Sequence, residues 1–156
     1  MLFCVKFIVK MNIDALNWKI LECLQLNARQ SNAEIGRQVG ISSPAISERI
    51  KKMEDAGIIN GYFTNVSPFE CGYQLKAIVT LRAFMGKLKP FLSKVKTYDE
   101  VLNCYRITGN ENIVMEVVLK NQKHLEIFID QLISYGEAKT QIVLSQVVEN
   151  NEIRPL

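Results

Sequence analysis

The chain has one histidine and one tryptophan in 156 residues, and its four cysteines stand at 4, 23, 71 and 104 with no CxxC and no zinc-ligand spacing. That scatter predicts free thiols in a reducing compartment, not a disulfide framework or a metal knot. Charge of one sign is also scarce. The net is only +3, so the chain as a whole lacks the broad basic surface of a strongly electrostatic nucleic-acid binder. No apolar run is long enough to span a bilayer. The lead MLFCVKFIVK is short and apolar, without a small-residue cleavage site, and makes a poor signal peptide. Either Met11 is the genuine start or the lead is a strand that pairs elsewhere. The expected compartment is the cytoplasm, with no membrane partner. Catalytic signatures are missing too: there is no GxSxG, HExxH, P-loop or GxGxxG. His124 lies at the start of a helix beside Lys123 and Glu126, where a solvated surface histidine is expected. The acidic pairs Glu54-Asp55 and Asp99-Glu100 read as solvated charge. Nothing recommends an enzyme, and no metal or cofactor is expected.

What is present is patterned. The composition, 48% hydrophobic and 22% charged, is that of an ordinary globular chain with one domain or two small ones. Residues 14–57 read as three helices. In the first, Leu16, Ile20, Cys23 and Leu24 share a face and Asp14 is the candidate N-cap. In the second, Ser31-Asn32-Ala33-Glu34 forms a capping box, Ile35 and Val39 point inward, and Gly40 ends the helix. The third is capped by Ser42 or Ser43, carries Pro44 in its first turn, and buries Ile46, Ile50 and Met53 at i, i+4, i+7. Gly57 closes it. Asn60-Gly61 between apolar residues then signals a hairpin, so a small β wing is expected.

The pattern changes after Ser67-Pro68. Leu75–Phe84 alternates as a strand, and Leu88, Phe91, Leu92 and Val95 make a helical stripe. Val101–Thr108 and Ile113–Leu119 are strands separated by a turn. Leu125, Phe128, Ile129, Leu132 and Ile133 form a second stripe, and Thr140–Val148 is a last strand. The order βαββαβ is a ferredoxin-like split unit. The fold class is therefore α+β, with a winged helix-turn-helix at 11–66, a linker at 67–74 and a ferredoxin-like domain at 75–150. Strand 113–119 is apolar on both sides, with Val114 and Val118 opposite the inward Ile113, Met115, Val117 and Leu119. Such a strand is normally covered on both faces. The chain has no further element to do this, so a second copy is expected to, as a symmetric dimer.

Helix, short glycine-bearing turn, helix is the spacing of a helix-turn-helix, whose second helix lies in the major groove of double-stranded DNA. Residues 11–66 hold six basic and six acidic residues, yet three of the cations fall at 49–52. On a helical wheel Pro44, Ser47, Glu48, Lys51 and Asp55 lie opposite the oily stripe. Ser47 and Lys51 are placed to meet base edges or phosphate, while Arg49 and Lys52 flank that face and suit phosphate. Glu48 either pairs with Lys52 at i+4 or accepts from a cytosine amino group, and the pairing is favoured. Ser31, Asn32, Ser42 and Ser43 complete the candidate DNA-contacting set. A three-helix packing module with no ligand remains the alternative.

Several segments together resemble one family. Ile13-Asp14-Ala15-Leu16-Asn17-Trp18-Lys19-Ile20-Leu21 is similar to an opening LDxxDxxIL. Residues 31–42, SNAEIGRQVGIS, resemble SNxELAxxVGLS, and residues 48–62, ERIKKMEDAGIINGY, resemble RRIxxLExxGVIxGY. Residues 101–109, VLNCYRITG, resemble VxECYxVTG. These are motifs of the feast/famine regulators, the leucine-responsive regulatory protein/AsnC (Lrp/AsnC) family, and the similarity runs from about Ile13 to Val148. The resemblance implies a winged helix-turn-helix followed by an ACT-like βαββαβ domain. That domain dimerises, assembles dimers into larger rings such as octamers, and binds an amino acid between dimers. It implies Gly109, Asn110, Glu111, Asn112, Thr140 and Gln141 as effector contacts, with Thr140 and Gln141 lining the same pocket. Two departures stand out. Asn17 replaces the second aspartate of the opening motif. Gly109-Asn110-Glu111-Asn112 stands where the family often has GDxD, leaving Glu111 as the available charge. The expectation is a sequence-specific transcription regulator, dimeric or octameric and responsive to an amino acid or small metabolite. The competing readings are an effector-independent architectural DNA-binding protein and a non-enzymatic metabolite sensor docking on protein.

Overall fold

The structure is a computed structural model that describes residues 13–155; the lead MLFCVKFIVK and Cys4 lie outside the described residues. The chain divides into two compact units. One is the chain up to Thr64 together with the residues from Val148 on, and the other is Asn65–Val147.

The first unit holds helices α1 (Ala15–Leu26), α2 (Asn32–Val39) and α3 (Ser43–Asp55). Their starts are set by local chemistry. Asp14 caps α1 by accepting from the Asn17 N–H at 2.7 Å. Ser31 and Glu34 close the capping box on α2, and Gly40 ends that helix in the left-handed region at φ 84°. Ser42 is the N-cap of α3, with no side-chain cap bond. Ile20, Ile35, Ile46 and Met53 are fully buried and form the unit's core. On α1 the buried stripe is Asn17, Ile20, Leu21 and Cys23; Leu16 and Leu24 are only half-buried. Gly36 marks the tightest point of the α2–α3 turn. A Cβ there would stand 2.5 Å from the Ile41 carbonyl oxygen, so only a hydrogen allows this approach.

The expected wing hairpin is not formed: residues 58–73 contain no strand. Ile58 and Ile59 instead pack on the helical core, and their N–H groups return to the Met53 carbonyl around Gly57, at φ 69°. With the first strand's apolar residues drawn inward, Asn60-Gly61 has nothing to fold back on, and a lone hairpin is at best marginal in water. The Tyr62 hydroxyl donates to Glu54 at 2.9 Å; lost solvent and that carboxylate push the phenol up to about 12.

The second unit contains β1 (Leu75–Ala83), α4 (Leu88–Lys94), a single 3-10 turn (Val95–Thr97), β2 (Val101–Arg106), β3 (Ile113–Leu119), α5 (Gln122–Leu132) and β4 (Gly136–Ile142). All strand pairs are antiparallel, in the order β2-β3-β1-β4. One sheet face carries Ala77, Val79 and Leu81 of β1 and Ile113, Met115, Val117 and Leu119 of β3, all fully buried. Phe91 of α4 and Phe128 and Leu132 of α5 cover it. Edge-to-face contacts of Phe91 with Tyr135 and of Phe128 with Tyr98 order the ring packing. Ile133, expected in the α5 stripe, is 60% exposed because α5 ends at Leu132.

β4 begins and ends earlier than the sequence pattern suggests. Gly136 pairs with Ala83, and a Cβ on it would sit 2.3 Å from the Arg82 carbonyl oxygen, so the glycine lets β4 start there. The ladder stops near Ile142 because its partner β1 begins at Leu75; Val143 donates to the Lys76 carbonyl, and the strand is not continued beyond it. His124 is not a free surface group. Its Nε2 lies 2.9 Å from Glu100 Oε1, and its Nδ1 accepts from the Lys120 N–H at 3.2 Å, so it ties α5 to the approach of β2. Among the described cysteines, Cys23, Cys71 and Cys104 are free.

Among the described residues of this unit, no helix covers the other sheet face. Opposed residues share a face, so the register puts Lys76, Ile78 and Thr80 of β1, Val114, Glu116 and Val118 of β3, and Asn103 and Tyr105 of β2 together there. Glu116, the one charge on β3, accepts from Lys76 at 2.6 Å and Asn103 at 2.7 Å, and these partners hold its carboxyl below the usual range. Val114 is half-buried and Tyr105 is 55% exposed.

Candidate nucleic-acid interface and effector loop

α3 has two unlike sides. Ile46 and Met53 are fully buried, whereas Pro44, Ser47, Glu48, Lys51 and Asp55 are exposed. That split follows from the 3.6-residue period acting on the sequence ISERIKKM. Among the described residues the side chains of Ser47 and Lys51 have no partner. Glu48 and Lys52 do pair, at 2.6 Å, on the helix surface, and the lysine holds the Glu48 carboxyl below its usual range. Both ends are mostly solvent-exposed, so the pair is held loosely.

Arg49 does something the wheel does not reveal. Its Nη1 donates to Asp14 Oδ2 at 2.7 Å and to Asn17 Oδ1 at 2.9 Å. Asn17 is 1% exposed and is the only buried polar side chain in its unit among the described residues. The residue expected to suit phosphate is thus a clamp from α3 to the start of α1. The Arg49 guanidinium and the Asn17 N–H together keep the Asp14 carboxyl below its ordinary value. The signal in sequence was faint: an asparagine where the resemblance has aspartate. Replacing Arg49 by Leu leaves the buried Asn17 carbonyl without its donor. That is expected to cost about 1–3 kcal/mol of stability, read as a lowered midpoint in urea unfolding; an unchanged midpoint would show that the clamp is idle.

Ser31 is likewise engaged within the chain. Its N–H and hydroxyl both donate to Glu34 Oε2 at 2.7 Å, and its Oγ accepts from the Glu34 N–H at 3.2 Å. Asn32 stands beside it, half-buried, while Ser42 is exposed and Ser43 half-buried at the head of α3.

In the second unit the turn between β2 and β3 is held from below. Asn112 accepts the Ala83 N–H on Oδ1 at 2.7 Å, donates its own N–H to the Leu81 carbonyl at 3.1 Å, and accepts from Ile107 at 3.0 Å. Gly109 adopts φ 118°, open to glycine at no steric cost. Glu111 accepts from Lys139 Nζ at 2.6 Å, and that bond holds the Glu111 carboxyl below its usual range. Thr140 and Gln141 do not line one pocket. Thr140 is opposite Val79 and Gln141 opposite Ile78, so they project to opposite faces. The structure brings Gly109–Asn112 together with Lys139 and Ala83. Lys139 was missed because its role depends on the β4 register. Among the described residues no group of three or more His, Cys, Asp or Glu side chains could hold a metal ion. No helix among them is long and apolar enough to cross a membrane.

A three-helix unit of this geometry, followed by a four-stranded βαββαβ unit, defines a helix-turn-helix DNA-binding regulator with an appended ligand domain. The comparisons agree. A winged helix-turn-helix DNA-binding family model matches residues 13–60, and an Lrp/AsnC ligand binding domain matches residues 76–153. The HTH-type transcriptional regulator Ptr1 of Methanocaldococcus jannaschii is 33% identical over 136 residues, 85% of this chain and 92% of that protein. The solved structure of E. coli AsnC is 33% identical with a TM-score of 0.81, covering 92% of this chain and 99% of that one. The transcriptional regulator NMB0573 of Neisseria meningitidis, solved as an L-Met complex, is 26% identical with a TM-score of 0.86, covering 91% and 96%. The chain belongs to the Lrp/AsnC family of transcriptional regulators.

Proposed function

We propose that this regulator reads a specific operator through α3, acts as a dimer or an octamer, and responds to a free amino acid in the cytoplasm. One observation carries the DNA reading: Ser47 and Lys51 stand exposed, without a partner among the described residues, on a helix whose opposite side is fixed in the core. Ser47 and Lys51 meet base edges and nearby phosphate. Lys52 swings from its loose pair with Glu48 to phosphate. The head of α3, where Ser42 and Ser43 carry N–H groups and Pro44, which has none, presets the first turn, faces the DNA backbone, as does the Asn32 N–H at the head of α2. Ser31 shapes that second turn through its capping box, and Arg49 sets the tilt of α3 through Asp14 and Asn17.

The amino-acid reading is supported by the ligand-domain match and the methionine complex of a relative. The Glu111–Lys139 pair suits a zwitterion: Glu111 takes the α-ammonium and Lys139 the carboxylate, with Gly109 and Asn110 closing over it. Selection of bound fragments from a random duplex pool tests the whole. A consensus with twofold symmetry, whose retention changes with one of the twenty amino acids, is expected. An A/T bias without consensus would favour an architectural protein, and no retained DNA a sensor that docks on protein.

A further inference from the structure

The helical unit is built from two stretches of chain, because the residues from Val148 onward pack with it. The contact is specific. The Gln25 side chain accepts the Ile153 N–H on Oε1 at 2.8 Å and donates from Nε2 to the Ile153 carbonyl at 3.1 Å. A side-chain amide that reads both backbone groups of one residue acts as a neighbouring strand does, so it fixes the path of the tail without needing a particular side chain. Consistently, Ile153 itself is 74% exposed. An open groove runs between the tail and α1; residues 152–155 of the tail wall it on one side, and on α1 it is walled by Ala15, Trp18, Lys19, Glu22 and Gln25. At 3.6 residues per turn these fall on the side of α1 opposite its buried stripe of Asn17, Ile20, Leu21 and Cys23.

We propose that the C-terminal tail is a strap: it docks in cis on the outer side of α1 and holds the helical unit by a second covalent tether, in addition to the linker before β1. The strap acts on DNA recognition through α1, which the Arg49 clamp to Asp14 and Asn17 joins to α3. A unit held at two points of the chain samples fewer orientations. Two recognition helices in a dimer therefore present themselves to two half-sites at higher effective concentration. The contact is two hydrogen bonds and shallow packing, so it is reversible, and its release loosens the recognition unit without unfolding it.

The only tryptophan in the chain lies in this groove, so its emission reports the strap directly. Two full-length variants test it. Gln25→Ala removes the amide from α1 with a good helix former, and Ile153→Pro removes the donor N–H from the tail and leaves α1 untouched. Both are expected to raise acrylamide quenching of Trp18, with unchanged far-ultraviolet dichroism. Both are also expected to weaken binding of the twofold-symmetric duplex severalfold, with little change on a duplex carrying one half-site. Unchanged quenching in either variant overturns the docking. Raised quenching with unchanged two-half-site affinity overturns its role in positioning the helices.

Discussion

A chain carrying Lys51→Glu is expected to bind the proposed operator some thirtyfold to twenty-thousandfold more weakly than the parent while melting at the same temperature. The Lys51 side chain is exposed on α3, one turn beyond Ser47, and has no partner to lose among the described residues. Substitution is therefore neutral for the fold, since exposed positions away from networks stay within about 0.5 kcal/mol. In the groove the change is costly. Removing one base or phosphate interaction weakens binding by roughly 1–3 kcal/mol, and a symmetric dimer makes it twice, roughly 2–6 kcal/mol in all. The salt dependence separates the two roles: if Lys51 neutralises a phosphate in each half-site, its removal lowers the slope by about 0.9 per phosphate. A gel-shift titration at several salt concentrations reads both quantities. The same midpoint and slope as the parent would remove α3 from the groove. Arg49 makes a poorer probe, because its change disturbs Asp14 and the buried Asn17 before it disturbs DNA.

That contrast shows which features were legible in the sequence. Caps are local. Asp14 with Asn17, Ser31 with Glu34, and Gly40 act within one helical turn, and each forms as its spacing implies. The inward stripes of α3, α4 and β3 follow from periodicity alone: the four inward residues of β3 are buried, as are Ile46, Met53, Phe91 and Val95, while Ile50, Leu88 and Leu92 are half-buried. Features that need a distant partner were not legible. Arg49 meets Asp14 across 35 residues, so the wheel of α3 showed only a flanking cation. β4 ends where β1 supplies no further rung, and no pattern in Thr140–Val148 carries that limit. The hairpin strands expected around Asn60-Gly61 are absent for the opposite reason, since this sound local turn signal is overridden by tertiary packing of Ile58 and Ile59. In the effector loop the turn itself was readable, but Lys139 enters through strand register, as does the separation of Thr140 from Gln141.

The second large effect lies on the uncovered sheet face. Val114 stands at its centre, opposite Tyr105 on β2 and Thr80 on β1, with Glu116 two residues along on the same side. In a single chain Val114 is only half-buried, so Val114→Asp keeps the carboxylate within reach of water and the monomer folds. Beneath a second copy the same carboxylate loses its solvent. It stands near the Glu116 carboxylate, which Lys76 and Asn103 already keep ionised, and a twofold axis doubles the number of buried charges. An unpaired ion taken out of water costs several kcal/mol, and two of them offset most of what an interface of ordinary size provides. If the parent is the dimer proposed above, the variant is expected to sediment as a monomer at concentrations where the parent sediments as a dimer, with unchanged dichroism. Its DNA affinity then falls to that of one half-site, because the gain from linking two weak interactions disappears. A variant that keeps the dimer mass would place the interface elsewhere and leave the apolar side of β3 without an explanation. If it instead unfolds, Tyr105→Lys at the exposed edge of the same face makes the same distinction with less burial at risk, since Tyr105 is 55% exposed in the single chain.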